Sequence, residues 1–229
     1  MSLSDVWWLQ QTDVALREDD SWLSPAEAEQ CAGFRFTKRR NDWRLGRFTA
    51  KLAVARYLDF AQDPSSLASI EIRPAASGAP EVFISQQKAD VAISLSHRGC
   101  AAMCAVAEAN MKLGCDLELI EPRSQAFVGD YFTREERDFV TANSEQGDLM
   151  VPLIWSAKES ALKLLRTGLR DDTRSVSVCS INPCVNGSWA PVKVRVLETF
   201  VLSGWWQRSD RFLRTLLADP AAGTPLWLK

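Results

Sequence analysis

The chain has 229 residues, with 27 basic and 29 acidic side chains and a single histidine. Its 46% hydrophobic and 24% charged content is typical of a globular protein and excludes a collagen-like, low-complexity or wholly disordered chain. No run approaches the roughly 18 apolar residues that span a membrane. One histidine excludes a multi-histidine metal site, so any metal must be held mainly by carboxylates or thiolates.

The compartment is predicted from the N-terminus and the cysteines. Met1–Asp5 lacks a basic segment and a long apolar core, so no secretory signal is expected. Six cysteines without a tight framework predict free thiols in a reducing compartment, which makes the cytoplasm the expected location.

The first half of the chain predicts helices followed by short strands. A strand is expected at Asp5–Gln10, and Ser24 with Glu27 forms a capping box that starts a helix. A longer helix is predicted from about Lys38 to Leu58, because its apolar residues recur at helical spacing. The strands that follow are predicted at Ile70–Arg73, Val82–Ile84, Val91–Ser96 and Cys100–Ala107.

Basic residues are concentrated in this longer helix. Between residues 35 and 56 there are eight basic side chains and one acid, Asp42. The spacing of Arg40, Arg44, Arg47 and Lys51 predicts that they share one face of the helix. A local basic segment on a chain of net charge −2 favours a small polyanion as ligand rather than nucleic acid.

The second half repeats the mixture of helices and strands. A strand is predicted at Lys112–Leu119, a helix start at Thr133, and a long helix from about Asp148 to Thr167 that ends at Gly168. Late strands are predicted at Val176–Ile181, Val192–Leu197, Phe200–Trp206 and Arg211–Ala218, and Pro220–Lys229 is expected to be a surface tail. The pattern predicts an α+β fold with subdomains at residues 1–109 and 110–229.

Three groups of polar residues suggest chemistry. Asp116 and Glu118 lie two apart on a strand, so they face one side and suit a hard cation such as Mg²⁺, although a solvated edge strand has the same pattern. Glu159 and Lys163 are i, i+4 neighbours in an apolar helix, a spacing that surface ion pairs also use. Ser96-His97 at a strand end offers donors to a phosphate.

In this order the three groups resemble the signatures of the 4′-phosphopantetheinyl transferases of the surfactin-synthetase-activating type. The matching stretches are Ser96-His97, Gly114–Glu118 and Trp155–Lys163, and the segment Lys38–Arg47 is similar to the family's arginine-rich helix. The resemblance covers roughly residues 24–170. It implies two similar α/β subdomains packed as an intramolecular pseudo-dimer, with coenzyme A and the active site between them.

The implied reaction is Mg²⁺-dependent transfer of the 4′-phosphopantetheine arm of coenzyme A to a serine of an apo carrier protein, with release of 3′,5′-ADP. By the resemblance, Asp116, Glu118 and Glu159 hold Mg²⁺, for which Mn²⁺ could substitute, and Glu159 and Lys163 are catalytic. The residues that it assigns to coenzyme A are Arg39, Arg40, Arg47, Ser96, His97, Lys158 and Lys163. The protein is expected to act as a monomer, without nucleic acid or membrane.

The chain departs from the family pattern at three positions. Ala79, Gln30 and Glu27 stand where other members often carry a basic residue. Two alternatives remain open: an inactive module that binds coenzyme A or a carrier protein, and a carboxylate-metal phosphodiesterase or nuclease. The sequence does not specify the carrier protein.

Overall fold

The computed structural model describes residues 5–185, 187–197 and 200–229 and divides the chain into two compact units. The N-terminal unit consists of residues 6–111 with 226–229, and the C-terminal unit mainly of residues 112–225. Helices and strands occur in both units, so the predicted α+β class is confirmed. The absence of a secretory signal was inferred from Met1–Asp5, of which Met1–Ser4 lie outside the described residues.

The N-terminal unit contains three helices and two sheets within its described residues. Its elements are β1 (Trp7–Thr12), α1 (Pro25–Ala32), α2 (Thr37–Tyr57), α3 (Pro64–Ser69), β2 (Ile70–Pro74), β3 (Pro80–Ile84), β4 (Gln87–Lys88), β5 (Val91–Arg98), β6 (Ala101–Glu108) and β12 (Leu226–Trp227). One sheet has the order β12-β1-β6-β5 and the other β2-β3-β4. The buried side of α2, with Leu45, Phe48 and Leu52, packs in the core of this unit.

The predicted surface tail is wrong for the last residues of the chain. Strand β12 pairs in parallel with β1, with Trp7 opposite Leu226, and the Trp8 and Trp227 rings lie 4.5 Å apart. Leu228 is only 5% exposed and packs in the core of the N-terminal unit. The chain end therefore completes the first sheet, a long-range pairing that no local pattern encodes.

The C-terminal unit contains one five-stranded sheet of order β7-β11-β10-β9-β8. Its elements are β7 (Lys112–Leu119), α4 (Gln125–Tyr131), α5 (Arg134–Ala142), α6 (Gly147–Leu164), β8 (Val176–Ile181), β9 (Ala190–Val196), β10 (Phe200–Ser209) and β11 (Phe212–Asp219). Helix α6 packs on this sheet, and most of its residues are buried. None of the helices described in either unit is long and apolar enough to cross a membrane.

Helix α6 ends earlier than the sequence predicts. Its last residue is Leu164, and Arg166 adopts a φ of +61° in the left-handed region, before Gly168 does so with a φ of +56°. The helix therefore ends before Gly168, and Lys163 lies in its last turn.

A buried ion pair is built into the N-terminal unit at the start of α1. Glu27 completes the predicted capping box with Ser24 and also accepts a hydrogen bond from the Ile72 amide at 3.1 Å. The fully buried Lys51 ammonium lies 2.5 Å from Glu27 and donates to the Trp22 carbonyl. Burial lowers the pKa of Lys51, while Glu27 acts to raise it.

The same arrangement recurs in the C-terminal unit. Glu136 completes the capping box of Thr133 and accepts from the Val178 amide at 2.8 Å. The fully buried Lys158 ammonium lies 2.6 Å from Glu136 and donates to the Val176 carbonyl. Each unit thus contains a capped helix and, later in the chain, a long helix with a buried lysine.

Candidate active site

The carboxylates of the C-terminal unit meet a lysine where β7 passes α6. The Lys163 ammonium lies 2.7 Å from Asp116 Oδ1 and 3.7 Å from Glu159 Oε2, and it also donates to the Cys115 carbonyl at 3.0 Å. Asp116 is 2% exposed, whereas the Glu159 and Lys163 side chains are 22% and 28% exposed. The structure thus brings together three of the predicted residues: Asp116 on the strand and Glu159 on the helix both lie near the Lys163 ammonium.

Gly114 permits this close approach of strand and helix. A Cβ at Gly114 would lie 1.8 Å from the Ser160 carbonyl oxygen and 2.8 Å from the Leu164 amide nitrogen. No side chain fits in that space, so the glycine of the Gly-x-Asp-x-Glu stretch is required by packing. Its absence of a side chain sets the distance between Asp116 and the helix that carries Lys163.

A buried hydroxyl cluster joins α6 to the sheet at the same level. The Thr215 hydroxyl on β11 lies 2.8 Å from the Ser156 hydroxyl and 2.7 Å from the Ser160 hydroxyl, and all three side chains are buried. Thr215 is also the cross-strand partner of Asp116. The helix is therefore hydrogen-bonded to the strand next to the one that carries Asp116, which fixes the two elements relative to each other.

The electrostatics of this group are those of crowded carboxylates. Burial raises the pKa of Glu159 to about 7, and the neighbouring carboxylates of Asp116 and Glu118 add to the effect. Burial alone would lower the pKa of Lys163, but the carboxylates of Asp116 and Glu159 outweigh it and the net direction is upward. The carboxylates thus stabilise the charged Lys163 ammonium, and a second cation bound beside them would reduce the repulsion among the carboxylates.

The donor chemistry fits a hard divalent cation, because Mg²⁺ prefers carboxylate oxygens and retains waters and phosphate oxygens as its other ligands. Asp116 and Glu159 already share one cation, the Lys163 ammonium. Within the described ranges, no three His, Cys, Asp or Glu side chains are grouped as a metal site. Glu118 instead accepts a hydrogen bond from Arg123 at 2.8 Å.

A cavity of about 740 Å³ lies in the N-terminal unit between the start of α2 and the end of β5. Four of the residues predicted to bind coenzyme A line it, namely Arg39, Arg47, Ser96 and His97. The Arg39 guanidinium lies 5.5 Å from the centre of the Phe34 ring. The cavity thus combines two guanidinium groups with a hydroxyl and an imidazole, a set suited to phosphate oxygens.

Arg47 carries an unused donor at the wall of this cavity. Its Nε is buried and has no hydrogen-bond partner among the described residues, since Glu27 Oε1 is 3.8 Å away. The guanidinium lies 5.1 Å from the centre of the Trp43 ring. Burial lowers the pKa of Arg47. A buried guanidinium with an unpaired N–H group can donate a hydrogen bond to a bound anion.

Two predicted ligand residues lie elsewhere. Arg40 is bonded to Asp20 at 3.2 Å, together with Arg44 at 2.7 Å, and it is not among the residues that line the cavity. Lys158, assigned to the phosphates, is fully buried against Glu136 and does not contact Asp116 or Glu159. In this structure Lys158 forms a buried ion pair and Arg40 a partly exposed one, and their contact with coenzyme A stays a prediction.

Several residues at these sites were missed by the sequence analysis. Arg123, Phe34 and Thr215 carry no motif, and each reaches its partner through folding rather than through spacing in a recognised pattern. Trp43 offered a signal, because it lies four residues after Arg39 and four before Arg47, which places all three along one side of α2.

Comparison with known families finds a match in the C-terminal half. Residues 112–207 match the family model of the 4′-phosphopantetheinyl transferase superfamily, a segment that makes up less than half of the chain. This segment is therefore similar to that superfamily of transferases, and the resemblance indicated by the motifs is confirmed at that level. A search of curated proteins gives no match.

Solved structures of two holo-(acyl-carrier-protein) synthases align with part of the chain. The enzyme of Bacillus anthracis, in complex with CoA (3′,5′-ADP), has 19% identity and a TM-score of 0.39 over 47% of this chain and 97% of its own. The enzyme of Helicobacter pylori, in complex with coenzyme A, has 19% identity and a TM-score of 0.36 over 45% of this chain and 98% of its own.

Proposed function

We propose that the protein transfers the 4′-phosphopantetheine arm of coenzyme A to a serine of an apo carrier protein, with Mg²⁺ as cofactor and release of 3′,5′-ADP. We assign it to the surfactin-synthetase-activating type, with the two halves as an intramolecular pseudo-dimer. The observation that carries the proposal is the Lys163 ammonium shared by Asp116 and Glu159, inside the segment that matches the transferase superfamily. That the protein is a cytoplasmic monomer stays a prediction.

The acids and the lysine of the C-terminal unit are assigned to the chemistry. Asp116, Glu118 and Glu159 are the residues that would hold Mg²⁺, which when bound supplies charge stabilisation to the diphosphate and the departing 3′,5′-ADP. The Lys163 ammonium stabilises negative charge on the phosphoryl oxygens that it faces. Lys163 stays protonated at neutral pH, because the neighbouring carboxylates raise its pKa.

A serine hydroxyl is a weak nucleophile and needs a proton acceptor. We assign this task to Glu159; its pKa of about 7 describes the metal-free site, and a bound cation would lower it. Glu159 is thus assigned both to the metal group and to the serine proton. A carboxylate bound to a cation is a weaker base, so the pH–rate profile at several Mg²⁺ concentrations distinguishes the two roles.

The cavity of the N-terminal unit is assigned to the phosphates of coenzyme A. The cofactor carries a diphosphate and a 3′-phosphomonoester, about three to four negative charges at neutral pH. Arg39 and Arg47 supply guanidinium groups at the cavity wall, with Ser96 and His97 as further hydrogen-bonding groups. A volume of about 740 Å³ lies within the range of cofactor sites, about 300–1,000 Å³.

The decisive experiment incubates the protein with coenzyme A, Mg²⁺ and a panel of apo carrier proteins, and measures the mass of each carrier together with 3′,5′-ADP. We expect a mass gain of one phosphopantetheine arm on at least one carrier, and none on a carrier whose acceptor serine is replaced by alanine. Asp116→Asn and omission of Mg²⁺ should each abolish the gain. The carrier that is modified fastest identifies the pathway.

The two alternatives give different results in the same assay. A phosphodiesterase or nuclease cleaves coenzyme A or a nucleic acid without a carrier protein. An inactive binding module retains coenzyme A, equally with and without Mg²⁺, and modifies no carrier. Either result refutes the proposed transfer.

A further inference from the structure

Arg123 links Glu118 to an aromatic cluster. Its Nη2 donates to Glu118 Oε2 at 2.8 Å, and Glu121 lies 3.7 Å away. Its guanidinium carbon is 5.5 Å from the centre of the Phe127 ring, and its side chain is 18% exposed. The roles assigned to the other residues make no use of this arginine.

The ring beneath the guanidinium is itself held in place. The Phe127 ring centre lies 5.0 Å from that of Trp155 on α6 and 4.9 Å from that of Tyr131 on α4. Tyr131 and Trp155 also lie 5.0 Å apart, so the three rings contact one another. Arg123 therefore connects Glu118 on β7 to a cluster of packed rings that includes Trp155 on α6, the helix that carries Glu159.

A guanidinium fixed in this way restrains the carboxylate that it contacts. Arginine stays charged at any relevant pH and makes directional hydrogen bonds, so a stacked arginine fixes the orientation of the carboxylate that it contacts. Groups that hydrogen-bond to a metal-ligating carboxylate orient it, and their loss typically weakens metal binding about 10- to 100-fold. The buried Arg123 Nε has no hydrogen-bond partner among the described residues, so the ring, Glu118 and the more distant Glu121 restrain the guanidinium.

We propose that Arg123 is a positioning residue that holds Glu118 ready for the divalent cation, with Phe127 fixing the guanidinium. This inference rests on the proposed function, because it takes Glu118 to be a metal ligand. Positioning and simple charge neutralisation predict opposite changes in cation affinity when Arg123 is removed. If Arg123 merely neutralised Glu118, its removal would leave an extra negative charge and would tighten cation binding.

The test measures the binding of Mn²⁺ alone to the full chain, by calorimetry or by the EPR signal of free Mn²⁺. We expect Arg123→Gln to weaken Mn²⁺ binding about 10- to 100-fold, and Arg123→Lys to weaken it less because the charge is retained. Phe127→Leu, which keeps an apolar side chain and the arginine, should weaken it by a smaller factor. Arg134→Gln removes the same charge from an 88% exposed side chain and should leave binding unchanged.

A second readout separates positioning from general damage to the fold. The transfer rate of Arg123→Gln should recover at high Mg²⁺, whereas the KM for coenzyme A should stay near the wild-type value. Mn²⁺ binding that is unchanged or tighter in Arg123→Gln overturns the proposal. If Arg123→Gln does not fold, unchanged Mn²⁺ affinity in both Arg123→Lys and Phe127→Leu overturns it equally.

The experiment also distinguishes this failure from failure of the proposed function. Wild-type protein that transfers phosphopantetheine but shows equal Mn²⁺ affinity in all variants refutes the role of Arg123 alone. Wild-type protein that binds no Mn²⁺ and modifies no carrier refutes the metal assignment, and the role of Arg123 with it.

Discussion

Replacement of Glu159 by glutamine should remove a pH dependence of stability from the metal-free protein. The pKa of this carboxyl is raised from its ordinary 4.5 to about 7, by burial first and then by the charges of Asp116 and Glu118. Between these two values the folded state binds more protons than the unfolded state does. The free energy of unfolding must therefore fall as the pH rises through this window, with the loss complete above about pH 7.

The size of the effect follows from the two pKa values. At about 1.36 kcal/mol per pKa unit, an increase from 4.5 to about 7 corresponds to about 3 kcal/mol. Glutamine resembles the protonated acid and does not ionise. The variant should therefore match wild type near pH 4.5 and be more stable by about 3 kcal/mol at pH 8, which is roughly 6–12 °C in Tm for a chain of this size.

The assay is denaturant or thermal unfolding at pH values from 4.5 to 8.5 in the presence of a chelator. Glu145→Gln, which replaces an exposed carboxylate in the same unit, is the matched control and should run parallel to wild type. Added Mg²⁺ should abolish the advantage of the variant at pH 8, because a cation stabilises the ionised carboxylates. A stability difference between wild type and Glu159→Gln that stays constant over this pH range would refute the electrostatic account of the site.

Three further outcomes are expected. Gly114→Ala should lower the free energy of unfolding by about 3 kcal/mol or more in denaturant titrations, because its Cβ would lie 1.8 Å from a backbone oxygen of α6. Lys158→Met should cost about 3–5 kcal/mol in the same measurement and be partly rescued by adding Glu136→Gln, since the single change leaves a buried charge unpaired. In calorimetry, Arg47→Gln should weaken coenzyme A binding about 10- to 100-fold, whereas Arg40→Gln, outside the cavity, should leave it unchanged.

Local chemistry made the elements predictable. The capping boxes at Ser24 and Thr133 depend on residues three apart, and both form as predicted. Helix α2 spans Thr37–Tyr57, close to the predicted range of about Lys38 to Leu58. Glu159 and Lys163 meet on one face because four residues make about one helical turn.

Neighbours in sequence on a helix direct their side chains to different partners. Lys158 is adjacent to Glu159, but successive residues of a helix are about 100° apart, so its ammonium reaches Glu136 instead. On α2, Arg39 and Arg47 line the cavity, whereas Arg40 and Arg44 bind Asp20. Helical geometry could have separated these two sets, but the identity of their partners depends on segments distant in sequence.

The repeated Glu–Lys pair changes how one departure from the family pattern is interpreted. Glu27 stands where other members often have a basic residue, which by itself weakens the case for a phosphate site. In the structure Glu27 has the same contacts as Glu136. Each completes a capping box, accepts a hydrogen bond from the amide of a strand residue, and forms an ion pair with a fully buried lysine. The acid at this position therefore has a structural cause. Glu27 neutralises the charge of Lys51. The Arg47 Nε lies 3.8 Å from Glu27 Oε1 and has no hydrogen-bond partner among the described residues, so this donor remains available at the cavity wall.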